Sequence, residues 1–396
     1  MRPKPRILVI GAGIGGLTAG LALLQRGFAV SIFDQAAQLT ELGAGIQIAP
    51  NGARVLRALG LGAELETVGV KSGVVELRLW NTGQQWKMME HGTKAASRYG
   101  APHYTLHRAD LQAALLAAVT EADSAALRLG ERCIGFEQSG TGVTAIFESG
   151  ERVAGDVIIG ADGIHSVIRQ GLFGADRPVF TGFVAWRGLC PAVKLGPVLM
   201  RHGGWLAPSS HIFHYPVRNR ELLNLIAVVE RDDWQHESWT DRGTHQEWLG
   251  DFPGWHADAR AMIEAVEQPF KWALMVREAL PRWSIGRASL LGDSCHSTLP
   301  FLAQGACMAI EDGAVLARCL EAFEDAETAL SRYEIARRER TAAIVQASLD
   351  QKDRLHGDSL HDPEAARQHV DRKWDVTRTE ALYDRIYGYD ALTVAV

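Results

Sequence analysis

Residues 6–34 read RILVIGAGIGGLTAGLALLQRGFAVSIFD, and this stretch decides the fold. Arg6 to Ile10 is a short, continuous apolar run, as in a parallel strand covered on both faces, and it runs straight into glycines. Leu17, Leu21 and Leu24 then recur at helical spacing, Gly27 ends that helix, and Ala29 to Phe33 gives a second strand closed by Asp34. The unit is β-α-β, a connection that is almost always right-handed.

Gly11-x-Gly13-x-x-Gly16 occupies the joint between strand and helix, where a dinucleotide fingerprint belongs. The first glycine permits a tight turn, the second lets backbone approach a pyrophosphate, and the third allows close helix-strand packing. The helix N-terminus adds N–H donors and a positive dipole for the phosphates. Asp34 is placed to accept hydrogen bonds from a ribose hydroxyl and would repel a 2′-phosphate. At this step FAD and NAD both fit.

Outward from that unit the pattern changes. Val74 to Trp80, Phe180 to Cys190, His211 to Val217 and Leu222 to Glu230 are longer runs rich in Val, Ile, Phe and Trp, without helical spacers between them. They predict a mostly antiparallel layer inserted in the nucleotide-binding part. Nucleotide-domain character returns in Asp156 to Ala161, ending in Asp162-Gly163, and in Ser289 to Leu291, ending in Gly292-Asp293. A long helix is predicted from about Gly305 to Leu320, with charged amphipathic helices past Arg340. The expected class is α/β: a Rossmann-like FAD-binding domain (1–73, 102–178 and 280–352), a β-sheet substrate domain (74–101 and 179–279) and a C-terminal helical tail (353–396) ending in an aromatic cluster of Tyr383, Tyr387 and Tyr389.

Two features favour FAD over NAD. Asp293, after a buried strand, puts a carboxylate where ribityl or pyrophosphate-side hydroxyls would lie. Beyond it, Ala303-Gln304-Gly305-Ala306 opens a helix whose N-terminus, aimed at a flavin's pyrimidine edge, would favour the anionic reduced ring.

Composition excludes several other classes. The 396 residues are 47% apolar and 22% charged with a formal net charge of −6, ordinary for a globular chain and with no basic block to follow a phosphate backbone. Nucleic acid is not an expected partner. Cys133, Cys190, Cys295, Cys307 and Cys319 form no close pair, so neither zinc nor a disulfide framework is expected, and a cytoplasmic location fits. Ile7 to Leu24 is apolar enough to resemble a signal segment, but its five glycines argue for strand, turn and helix. There is one G-x-G-x-x-G and no redox cysteine pair, against a disulfide reductase-like enzyme.

With these motifs in place, the sequence resembles the class A flavoprotein aromatic hydroxylases over nearly its whole length. Gly11 to Gly16 with Asp34, Gly160-Ala161-Asp162-Gly163-Ile164-His165-Ser166, and Gly292-Asp293-Ser294-Cys295-His296 are similar to the three fingerprints of that family. The resemblance implies that the first and third contact FAD, that Asp162 belongs to a motif serving both FAD and the nicotinamide nucleotide, and that Arg108 meets the FAD phosphate region. Gly43-Ala44-Gly45-Ile46, Gln304 to Asp312 and Tyr387-Gly388-Tyr389-Asp390 look most like salicylate, 3-hydroxybenzoate and 6-hydroxynicotinate hydroxylases. Several of these carry His or Gln near the position after Pro300, where this chain has Phe301. The ring substrate is therefore left open.

The implied chemistry is reduction of FAD by NADH or NADPH, reaction with O₂ to a flavin C4a-hydroperoxide, and oxygen transfer to a hydroxylated aromatic or heteroaromatic carboxylate. Such a peroxide needs an apolar, water-poor cavity, and Trp186, Phe213, Leu225, Val228, Pro300 and Phe301 are candidate walls. Ionising the ring hydroxyl needs a base, and His211 and Tyr215 alternate on one strand and face one side. In similar hydroxylases this strand lines the substrate, and the two positions match a His and a Tyr that handle the phenol or carboxylate. His214 falls on the opposite face. His296 fits either the site or a structural loop, and Arg187 and Arg218 fit ion pairs better than carboxylate binding. The alternatives are a flavin oxidase or dehydrogenase that inserts no oxygen, and a non-enzymatic NAD-sensing or scaffold protein. A homodimer is the default assembly.

Overall fold

The computed structural model describes residues 4–39, 44–90, 92–196, 199–233 and 241–396. Its first layer is a five-stranded, wholly parallel sheet in the order Ala288–Leu290, Val157–Gly160, Arg6–Ile10, Ala29–Asp34, Leu127–Leu129. Ile7, Leu8 and Val9 have no exposed surface, as a strand covered on both faces requires. The helix Ile14–Leu24 links the first strand to Ala29–Asp34, and the helix Gly305–Ala322 crosses it closely. A Cβ at Gly313 would lie 2.8 Å from the Ala19 nitrogen, so that crossing depends on the missing side chain.

The second layer is a seven-stranded sheet in the order Phe270–Val276, Val179–Pro191, Leu222–Glu230, Ser210–Val217, Gly203–Leu206, Val74–Leu79, Gln85–Glu90. All its pairings are antiparallel except that of Gly203–Leu206 with Val74–Leu79. The inserted antiparallel layer expected from the sequence is thus present, with one parallel pair. Two small three-stranded sheets complete the β-structure among the described residues, one of which pairs Gly45–Ile48 with Tyr104–His107. The motif residue Gly43 lies outside the described residues.

The chain ends in the helices Ala326–Leu349, Lys352–Leu355, Pro363–Lys373 and Val376–Tyr387. They are not a solvated tail. Leu355, Leu360, Ala366 and Val370 pack with Leu77, Leu79 and Leu206 of the seven-stranded sheet. Among the described residues no helix is long and apolar enough to cross a membrane.

Candidate active site

A cavity of about 440 Å³ separates the turns of the parallel sheet from one face of the seven-stranded sheet. The nucleotide side presents Gly13, Ile14, Gly15, Arg108, Gly163, Gly292, Asp293, Gly305 and Ala306. These include the first residues of the helices Ile14–Leu24 and Gly305–Ala322, so two helix N-termini with their unpaired N–H groups front the same space. The three fingerprint glycines differ in what they permit. Gly11 has φ +108°, and a Cβ there would lie 2.3 Å from the Ala161 carbonyl oxygen. At Gly16 the Cβ would lie 1.9 Å from the Gly11 oxygen. At Gly13 it would meet no protein atom within 4 Å, leaving a bare backbone cradle toward the cavity.

The three motif acids are placed differently. Asp34 accepts from the amides of Ala12 at 2.7 Å and Ala36 at 2.9 Å, tying the glycine turn to the second strand. Asp162 accepts from the Ser166 hydroxyl and the Val167 amide, so its carboxylate serves the start of the helix Val167–Phe173. Of the three, only Asp293 lines the cavity, where it is exposed.

The opposite wall is the sheet face bearing His211, Phe213 and Tyr215, with Ile226 and Val228 beside them. Cross-strand register fixes this set: His211 pairs with Val228 and Phe213 with Ile226, and residues directly opposite share a face. Two expected wall residues are corrected on the same ground. Leu225 pairs with His214, already on the far face, and Trp186 pairs with Ala227. Both have no exposure and belong to the core behind the sheet, where Trp186 stacks on Trp248 at 5.4 Å and donates to Asp251 at 2.7 Å. The sequence reading chose large apolar residues where strand parity decided the matter.

Pro300 and Phe301 close one end, Phe301 meeting His211 edge-on at 5.2 Å between ring centres. The loop turns into the Gly305–Ala322 helix through Ala303, whose left-handed φ of +51° is strained for a residue with a Cβ. His103, His202, Tyr383 and Tyr387 also line the cavity and were not expected there. Ser72 bridges the two histidines, at 3.0 Å from His103 and 3.2 Å from His202. The terminal aromatic cluster was the available signal for Tyr383 and Tyr387. Arg187 and Arg218 do not line the cavity: Arg187 lies over the Trp272 ring at 4.7 Å, and Arg218 pairs with Asp110 at 2.7 Å.

Burial sets the protonation of the wall. It holds the His211 imidazole well below its ordinary 6.5, with His356 adding to the effect, and pushes the Tyr215 phenol well up. His211 is therefore neutral and Tyr215 a hydrogen-bond donor at physiological pH. His296 does not line the cavity. Burial opposes its charge, but Asp312 at 2.5 Å holds it as an imidazolium. Cys295, His296 and Asp312 are the one group among the described residues with metal-ligand proximity. Arg337 pairs with Asp312 at 2.7 Å, so the positive charge a metal would bring is already supplied.

A parallel sheet with a glycine turn, two helix N-termini on one cavity and an aromatic-walled sheet opposite define a flavin-dependent oxidoreductase. Comparison with known proteins narrows this. Residues 4–348 match the FAD binding domain family, and the chain belongs to it. It is 38% identical over 396 residues to 3-amino-4-hydroxybenzoate 2-monooxygenase of Streptomyces platensis, covering 99% of this chain and 98% of that one. It is 35% identical to 6-hydroxynicotinate 3-monooxygenase of Pseudomonas fluorescens, covering 88% and 92%. Klebsiella pneumoniae HpxO, solved with FAD and uric acid, superposes with a TM-score of 0.83 at 26% identity, covering 97% of this chain and 96% of that one. The protein is an FAD-dependent aromatic-ring monooxygenase that uses O₂ and a reduced nicotinamide nucleotide.

The bare cradle at Gly13 fits that cofactor and makes it testable. Gly13→Ala places a methyl group where no protein atom lies, on backbone of ordinary φ −69°. The apoprotein should melt as the parent does while FAD affinity falls about tenfold or more, the cost of a single displaced contact being on the order of 1.4 kcal/mol. Flavin-fluorescence titration reads this, and unchanged affinity would remove Gly13 from the pyrophosphate site.

Proposed function

We propose that the protein hydroxylates a small hydroxylated aromatic or heteroaromatic carboxylate, with His211 as the base that takes the ring hydroxyl's proton and Tyr215 as the donor that orients the ring. The observation that carries this is a buried imidazole set among Phe213, Phe301 and Val228 on the wall opposite the two helix N-termini. An ionised ring hydroxyl pushes electron density into the ring and makes it the better nucleophile.

Bound FAD supplies reducing equivalents taken from NADH or NADPH and delivers one oxygen atom of O₂ to the ring. Gly11, Gly13, Gly16 and Arg108 take its phosphate region, with Asp34 and Asp162 holding the loops around it. Asp293, Gly305 and Ala306 take the rest. Phe213, Ile226, Val228, Pro300 and Phe301 keep water from the reacting centre. Tyr215, 5.6 Å from His202 between ring centres, is the polar corner available to a substrate carboxylate.

By this reading residues 1–73, 102–178 and 280–352 carry the flavin, 74–101 and 179–279 the substrate, and 353–396 close the cavity through Tyr383 and Tyr387. The five buried free thiols suit a reducing cytoplasm, and we place the enzyme there as a homodimer whose partners are small molecules and not nucleic acid.

Screening 3-amino-4-hydroxybenzoate, 6-hydroxynicotinate, 3-hydroxybenzoate and salicylate for stimulated nucleotide oxidation tests the substrate class. At least one should be hydroxylated with most of the reductant recovered as product. Hydrogen peroxide in place of product from all four would contradict it.

A further inference from the structure

His211 is not alone at the back of the cavity. Its Nδ1 lies 2.8 Å from Nε2 of His356, whose Nδ1 lies 2.6 Å from a carboxylate oxygen of Glu230. The other Glu230 oxygen meets Lys352 Nζ at 3.0 Å. His356 is buried with a side chain 3% exposed, Glu230 is 30% exposed and Lys352 48% exposed. The chain of groups therefore runs from the cavity wall to the surface.

The outermost hydrogen bond has a definite direction. His356 and Lys352 hold the Glu230 carboxyl below its ordinary range, so it is ionised and only accepts. His356 must then donate from Nδ1, which leaves its Nε2 as the nitrogen facing Nδ1 of His211. When that Nε2 carries the lone pair, it accepts from the Nδ1–H of His211. His211 is thereby left with a bare Nε2, the ring nitrogen not committed to His356, for the cavity it lines. Without the outer pair, nothing in these contacts would prefer this tautomer over the one with Nε2–H, which cannot act as a base.

We propose that Glu230 and His356 set the tautomer of His211 and carry the substrate's proton out of the cavity, a role that rests on His211 being the base. The ring O–H bond breaks as His211 Nε2–H forms. His211 Nδ1–H breaks as His356 Nε2–H forms. The substrate ends as a phenolate and His356 as an imidazolium paired with Glu230, with no net change of charge and nothing oxidised or reduced. The proton comes to rest beside a half-exposed carboxylate, so the cavity need not admit water to dispose of it. Among the described residues Glu230 meets the histidine pair and Lys352 meets Glu230 in turn, and the aromatic rings of Phe183, Phe213 and Phe301 pack against the pair.

Two readouts on the FAD-loaded full-length protein test this. Nitrogen-15 NMR of labelled histidines, assigned by the signals lost in His211→Asn and His356→Asn, should show both rings protonated on Nδ1 and bare on Nε2 at neutral pH. In Glu230→Gln, which leaves a polar group of the same size at a half-exposed position, that single tautomer should be lost. A proton on His211 Nε2 in the parent protein overturns the proposal whatever the substrate.

In the second readout, turnover by Glu230→Gln and His356→Asn of whichever of the four screened acids the parent hydroxylates should drop about tenfold or more in kcat with KM little changed, a loss within the range of general-base catalysis. The acid limb of the pH profile should move in both variants. An inactive His211→Asn beside Glu230→Gln and His356→Asn of parental kcat and pH profile would sink the relay and spare the base. A fully active His211→Asn would remove the base itself.

Discussion

His211→Ala is expected to purify yellow, with a full complement of FAD, and to lose about 10²–10⁴-fold in hydroxylation at neutral pH, the usual contribution of a positioned base. Flavin retention follows because the imidazole sits on the sheet wall, across the cavity from Gly13, Arg108 and Gly305. The pH dependence has a definite sign. Burial holds His211 well below 6.5, so the base form persists into mildly acidic solution. The acid limb of kcat in the parent enzyme should therefore lie below pH 6.5, and in the alanine variant this limb should vanish. Coupled turnover of the variant at the parental rate would take His211 out of the mechanism.

Arg337→Met should be the most damaging single change away from the cavity. Arg337 has no exposed surface and pairs with Glu311 and Asp312, each at 2.7 Å and each wholly buried. Removing one partner of a buried ionic group costs about 3–5 kcal/mol, because the remaining charge stays desolvated. Arg340 still meets Glu311 and His296 still meets Asp312, but one cation is lost from a set of two acids and three cations.

The consequence reaches the cofactor. Asp312 also accepts from the Gly292 amide at 3.1 Å, so it braces the turn that presents Asp293 to the cavity. Denaturant titration should show the stability loss together with weakened FAD binding. Burial alone would raise the Asp312 carboxyl, yet His296 and Arg337 hold it at about 2 against an ordinary 3.8. Its stabilisation is thus complete above pH 3.8 and lost as pH falls through about 2. In Arg337→Met that acid transition should move to higher pH. A variant as stable and as yellow as the parent would contradict this account of the network.

The nucleotide side of the site was legible because its signals are local. Gly11, Gly13 and Gly16 each answer to a short-range steric demand, and Gly305 and Ala306 fall where helical spacing resumes. His211 and Tyr215 were readable from period-two alternation along one strand. Trp186 and Leu225 were not, since which face of a strand meets a cavity depends on its register with neighbours that a single sequence does not display. His356 was hidden differently. It stands in a polar stretch at the chain's end, and only the packing of Leu355 and Leu360 beneath the sheet brings it to His211. His103 and His202 share that difficulty, joined through Ser72 from three distant segments.

The central claim is that this cavity holds FAD and passes one atom of O₂ to a hydroxylated ring whose proton His211 has taken. Turnover under ¹⁸O₂ of whichever of the four screened acids stimulates nucleotide oxidation, with the bound cofactor identified by mass, tests it most directly. The expected result is bound FAD and a ring product carrying a single ¹⁸O atom for each nicotinamide nucleotide oxidised. Unlabelled ring with all the label in hydrogen peroxide, or a nicotinamide nucleotide held permanently in place of the flavin, would contradict it.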